Sequence, residues 1–151
     1  MIKVTIIAAG KMKQGPHLDL VKEYKKRIVW PLEIIEIDIR GNPPDKNRQE
    51  NRKIAEKIPE GAHIVALDSQ GTSLSSAGLA RISGPVFPED RKSVSFLIGG
   101  SDGLSPELRK QAHFVLSFGA QTWPHMLARV MLMEQIYRAQ QIINGHPYHR
   151  E

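Results

Sequence analysis

The sequence contains no cysteine, which excludes disulfides, thiolate nucleophiles and Cys-ligated zinc and agrees with a reducing compartment. No apolar run approaches the roughly 20 residues that a membrane helix needs. The start, Met1-Ile2-Lys3-Val4-Thr5, lacks the charged segment, apolar stretch and small-residue cleavage site of a secretory signal, so a cytoplasmic location is expected. No Gly-x-Gly-x-x-Gly opens a first strand–helix turn and no Gly-Lys-Ser/Thr phosphate loop is present, which argues against dinucleotide and nucleoside-triphosphate binding. His125, His146 and His149 have no acidic or cysteine partner at metal-like spacing, so no metal is expected. Repeats, linkers and low-complexity segments are missing too. With 151 residues and 40% hydrophobic content, the chain fits one domain, 1–151, with a core of ordinary size.

Charge is unevenly spread. Residues 1–28 hold seven basic residues (Lys3, Lys11, Lys13, Lys22, Lys25, Lys26, Arg27) against Asp19 and Glu23, a surplus equal to the whole-chain net charge of +5. Such clustering marks either an exposed lysine-rich helix face or a nucleic-acid surface whose affinity for phosphates falls with salt.

The chain alternates strand and helix five times. Ile2 to Ala9, Ala62 to Leu67 and Ser93 to Ile98 are short apolar runs suited to buried strands. Leu32 to Ile39 alternates strictly in its second half, as at a wet or edge position, and His113 to Phe118 is the last strand. Helices are expected over His17 to Ile28, Arg48 to Ile58 and Ser75/Ser76 to Ile82. A fourth begins at Ser105 (N-cap), Pro106 and Glu107. Asp68-Ser69-Gln70-Gly71 reads as a turn and Gly84 to Pro88 as a loop. This pattern predicts an α/β domain with a largely parallel sheet between two helix layers. Ligands of such folds gather at the carboxyl ends of strands, so the loops after Leu67, Ile98 and Phe118 should share one pocket.

The last thirty-odd residues are the most informative. Phe118-Gly119-Ala120-Gln121-Thr122-Trp123 leads to Pro124, a residue tolerated in a first helical turn, with Thr122 as the expected N-cap. In the helix that follows, Met126, Val130, Met133 and Tyr137 form one stripe, and Leu132, Ile136, Ala139 and Ile143 a second. A helix apolar on most sides is buried on most sides, which suggests either core on one side and a partner subunit on the other or a central helix of a monomer. Glu134 and Arg138 are spaced for an ion pair. Arg129 falls inside the apolar arc and needs a partner: a carboxylate, a chain end or a substrate.

Four segments carry a resemblance: Leu97-Ile98-Gly99-Gly100-Ser101-Asp102-Gly103-Leu104, Thr122-Trp123-Pro124-His125 with Arg129 behind it, Glu134-Gln135-Ile136-Tyr137-Arg138-Ala139, and Asn144-Gly145-His146-Pro147-Tyr148-His149-Arg150-Glu151. Together they resemble the small SPOUT-class enzymes of the ribosomal RNA large subunit methyltransferase H family, over the whole chain and in the order of elements. The resemblance implies a three-layer α/β fold with a C-terminal trefoil knot, which periodicity does not reveal. It implies an S-adenosylmethionine pocket with Leu67, Gly99 and Gly100 on one side and Phe118, Gly119, Ala120, Gln121, Thr122 and Trp123 on the other. It further implies methyl transfer to N3 of a pseudouridine in large-subunit ribosomal RNA, on an assembled ribosome, by a homodimer in which the tail of one subunit completes the pocket of the other. Tyr148 for base stacking, His149 as proton acceptor and Arg150 for negative charge are the candidate catalytic residues, with Glu134 and Arg129 behind them. A non-catalytic ribosome-binding factor of the same fold, or a small α/β enzyme acting on a free nucleotide, is the alternative.

Overall fold

The structure is a computed structural model that describes residues 2–83 and 93–151; the loop expected at Gly84 to Pro88 lies outside the described residues. Among the described residues, five strands, β1 (Lys3–Ala9), β2 (Leu32–Ile37), β3 (His63–Ser73), β4 (Ser93–Ile98) and β5 (Phe114–Ser117), alternate with five helices, α1 (Pro16–Arg27), α2 (Lys46–Lys57), α3 (Ser76–Ser83), α4 (Pro106–Gln111) and α5 (His125–Ile143). The sheet is parallel throughout, in the order β2-β1-β4-β3-β5.

Successive side chains of a strand point to opposite faces, and both faces here are covered. Val4, Ile6, Ala8, Val65, Val94 and Phe96 join one apolar cluster with residues of α1, α3 and α5, whereas Ile7, Ala9, Ala66 and Leu97 join another with Ile54 of α2 and Leu108 of α4. Burial on two sides is why β1, β3 and β4 read as unbroken apolar runs, and why β2, at the edge, alternates instead. The expected caps are present: Ser75 Oγ accepts the Gly78 N–H at 3.0 Å and Ser105 Oγ the Leu108 N–H at 3.2 Å, capping α3 and α4.

Two expectations are corrected. Thr122 does not cap α5; the cap position is Pro124, whose extended backbone enters the helix one residue later without a side-chain cap. And β3 continues past Leu67: Leu67 and Thr72 both pair with Leu116 of β5, so residues 68–71 bulge out of the ladder and the strand resumes to Ser73. The Asp68–Gly71 turn is thus an excursion within a strand.

Candidate active site

Because β4, β3 and β5 are neighbours in the sheet, the segments at their carboxyl ends meet over a cavity of about 210 Å³. One wall is Gly99, Gly100, Ser101 and Gly103; another is Leu67, Asp68 and Ser69 of the bulge; the third is Phe118, Gly119, Gln121, Thr122 and Trp123, with Ile98, Leu116, His125 and Ala128 completing the lining. Every residue expected to hold a cofactor lines the cavity except Ala120, which is exposed.

The glycines act differently from one another. A Cβ on Gly99 would meet the carbonyl carbon of Gly103 at 2.5 Å and the Leu104 nitrogen at 2.7 Å. Its bare Cα therefore lets the loop fold back on itself, where the Gly103 N–H donates to the Gly100 carbonyl at 3.0 Å. Gly99 borders the cavity, and its lack of a side chain serves the loop's own packing. Gly119 is the reverse case: its φ of +110° suits glycine and nothing lies within 4 Å of an added Cβ, so main chain is exposed to the cavity there. From beneath, α2 holds the Gly-rich loop: Asn47 Nδ2 donates to the Gly103 carbonyl at 3.0 Å, and Asn51 Oδ1 accepts the Ser105 N–H at 2.8 Å.

Several residues that the sequence reading missed build this cavity. The buried Ser117 hydroxyl accepts the Gly119 N–H at 3.0 Å and lies 3.0 Å from the carbonyls of Ser69 and Gly119, to one of which it donates, tying the second wall to the third. Asp68 Oδ1 accepts the Gln70 N–H at 2.8 Å, shaping the bulge, while Oδ2 pairs with Arg109 at 3.0 Å. Trp123 is 39% exposed, its indole donating to the Phe118 carbonyl at 3.2 Å. His125 borders the loop cavity and two others; burial first, then Arg129 and Lys46, hold its imidazole below the usual range, and so neutral. For Asp68 and Ser69 a signal existed, since they follow an apolar run directly. For Ser117 and His125 the sequence offered only their proximity to the loop.

Arg129 finds the carboxylate partner that its position demanded. It is 1% exposed, with Nη1 2.7 Å from Glu36 Oε2 of β2 and Nη2 donating to the carbonyls of Ala9 and Gly10 at the end of β1. The same Glu36 oxygen accepts the Met12 N–H at 2.7 Å. Burial lowers the affinity of the guanidinium for its proton while Glu36 restores it. This is a fastening of α5 to the β1 exit, away from the other catalytic candidates.

The tail docks on its own helix. Tyr148 Oη donates to Glu134 Oε1 at 3.2 Å, its ring lies edge-on to Tyr137 with centroids 4.8 Å apart, and the Arg138 guanidinium carbon sits 4.8 Å from its centroid. Burial and then Glu134 raise the Tyr148 pKa, and the hydrogen bond that Arg138 donates to Glu134 raises that of Arg138, so both keep their protons. Arg138 Nη1 lies 3.2 Å from His149 Nδ1; a guanidinium only donates, so Nδ1 accepts and a neutral ring carries its hydrogen on Nε2. Arg150 is exposed and makes no hydrogen bond or ion pair among the described residues. The structure thus gathers Glu134, Tyr148 and His149 but not at the loop cavity: Glu134 borders a second cavity of about 490 Å³, joined to the first at Leu116, Phe118 and Gly119.

Residues 2–149 match the family described as "Predicted SPOUT methyltransferase". A relative from Rhodospirillum centenum, called "Ribosomal RNA large subunit methyltransferase H", is 44% identical over 151 residues and 99% of both chains. The fold is similar to that of a probable methylase family protein from Haemophilus influenzae, with TM-score 0.63 at 10% identity over 100% of this chain and 72% of that one. It is also similar to the SpoU methyltransferase AviRb from Streptomyces viridochromogenes, solved with AdoMet, with TM-score 0.50 at 13% identity over 93% of this chain and 58% of that one. The fold is that of an α/β methyltransferase. This chain belongs to the SPOUT methyltransferase family.

Proposed function

We propose that this chain is an S-adenosylmethionine-dependent RNA methyltransferase of one domain, residues 1–151, that modifies N3 of a pseudouridine in large-subunit ribosomal RNA. It works in the cytoplasm as a homodimer on the assembled ribosome, with no membrane or metal partner. The observation that carries this reading is the meeting of three strand-end segments on one cavity with bare main chain at Gly119 and aliphatic sides from Leu67, Ile98 and Leu116. Such a lining fits a nucleoside: aliphatic side chains clasp the flat ring and main-chain groups satisfy its polar edge. The name of the Rhodospirillum centenum relative supports the RNA substrate. The AdoMet complex of the SpoU relative and the family match support the cofactor. Adjacent placement of the β3, β4 and β5 exits supports the C-terminal trefoil knot that goes with this family in our reading.

When bound, S-adenosylmethionine supplies a methyl group on a sulfonium, an electrophile that needs an in-line nucleophile. The protein's own work is to hold and align: fixed geometry recovers about 7–11 kcal/mol of barrier. Ser117 keeps two cavity walls together, Arg129 fastens α5 under the third, and Glu134 holds Tyr148. In this reading the tail that reaches the acceptor side is that of a second copy, with its Tyr148 stacking on the base and its Arg150 offsetting negative charge on the imide oxygens. The exposed bases Lys11, Lys13, Lys22, Lys25, Lys26 and Arg27 meet phosphates.

Two measurements test this. Titration calorimetry should show S-adenosylmethionine binding, and labelled methyl transfer should be seen with ribosomes and not with free nucleosides. No binding at millimolar donor would leave the fold as a ribosome-binding factor, and transfer to free nucleosides alone would move the enzyme to another substrate class.

A further inference from the structure

Beside the loop cavity lies a polar cavity of about 350 Å³ between the end of β1, the start of α2 and the Gly100 loop, bordered by Gly10, Asn42, Lys46, Asn47, Glu50 and Gly100 among others. Glu50 is its unusual member. It is 7% exposed and forms no hydrogen bond or ion pair among the described residues. Its carboxyl oxygens are not among the enclosed unpaired atoms, so the carboxyl opens onto the cavity with no protein group bonded to it, an arrangement that calls for an explanation. Burial pushes its pKa up, Lys46 opposes that, and Asp102 adds to it.

Gly100 explains how the carboxyl stays reachable. A Cβ there would stand 2.9 Å from Glu50 Oε1 and 3.1 Å from Oε2, so any side chain would cover the carboxyl from the loop side. Gly100, Ser101 and His125 border both cavities. An occupant of the polar one therefore lies next to whatever fills the other. In the docked tail, His149 Nδ1 accepts from Arg138.

We infer that the Glu50 cavity receives the acceptor base, a uracil-type imide, and that Glu50 takes its N–H proton. This rests on the methyl-transfer reading above. The proton passes from the imide nitrogen to a Glu50 carboxylate oxygen, and the nitrogen lone pair forms the new N–C bond. As the S–C bond breaks, its electron pair stays on sulfur, which becomes a neutral thioether. Lys46 and the amide of Asn42 are the donors at hand for the imide carbonyls.

The test is Glu50→Gln, with Glu50→Asp as a second variant should the first fail to fold. Wild type must transfer methyl to ribosomes; if it does not, the methyl-transfer reading fails and this inference with it. Given that control, Glu50→Gln should lower turnover at saturating ribosome by about 10²-fold or more, while donor affinity by calorimetry stays within about twofold. Without donor, pseudouridine added to ¹⁵N-labelled wild type should shift the amides of Gly100 and Asn47, and the variant should lose that response. Unchanged turnover, unmoved wild-type amides, or donor affinity weakened as much as turnover would overturn the assignment, the last by giving the cavity to the donor.

Discussion

Gly99 and Gly119 sit on facing walls of one cavity, and their substitution should have opposite signatures. A side chain at Gly99 runs into the Gly103 and Leu104 backbone, so Gly99→Val should lose stability in urea together with donor affinity. Gly119→Val meets open space but fills the cavity. It should weaken donor binding by roughly tenfold or more, at a strain cost of about 1–2 kcal/mol for the positive φ. Paired calorimetry and urea melts distinguish the two. Glu50 offers a third residue-scale outcome. Its folded pKa is raised, so the stability it contributes is present at acid pH and lost as pH rises through the folded value. Glu50→Gln should match wild type in acid and exceed it at neutral pH, a gain that would accompany lost turnover. The loop positions were legible in the sequence because they follow apolar runs. Glu50 was not, since within a polar helix nothing marks which acid faces inward until the fold brings Gly100 against it.

At the scale of the element, α5 shows where reading by periodicity runs out. Its all-round apolar character pointed to a second subunit, yet among the described residues the exposed large apolar side chains are Leu20, Val29 and Trp123, none of them on α5. Flanking by α1 and α3, with the sheet beneath, accounts for most of its surface within one chain. Periodicity reports that a face is covered and not by what. The buried Arg129 was legible as an anomaly, whereas its partner Glu36, on an edge strand 93 residues away, was not. Arg129→Met should cost about 2–3 kcal/mol by leaving Glu36 and two carbonyls unpaired, read from the urea midpoint. In β1 and β4, the hydroxyls of Thr5 and Ser95 are paired in register, buried and without hydrogen bonds. Thr5→Val should therefore stabilise by about 1 kcal/mol.

For the whole molecule, the alternation of strands and helices was enough to place the cavity, because neighbouring parallel strands must exit on the same side of the sheet. The strand order itself rests on long-range pairing that no local pattern encodes. The tail's reach beyond its own chain is a whole-molecule claim, and mixing tests it. A chain lacking 147–151 and a Gly119→Val chain should each transfer little methyl, whereas mixed dimers should recover transfer through the one site that combines an intact cavity with an intact tail. Activity in the truncated chain alone would reduce Tyr148 to a clasp on Glu134.

The detour of residues 68–71 has a further consequence. Since Leu67 and Thr72 face the same residue of β5, the four residues between them form a closed appendix to the sheet. Lengthening or shortening that appendix would reshape the loop cavity while every strand keeps its partner, so the fit of the proposed donor could be retuned there without refolding the protein.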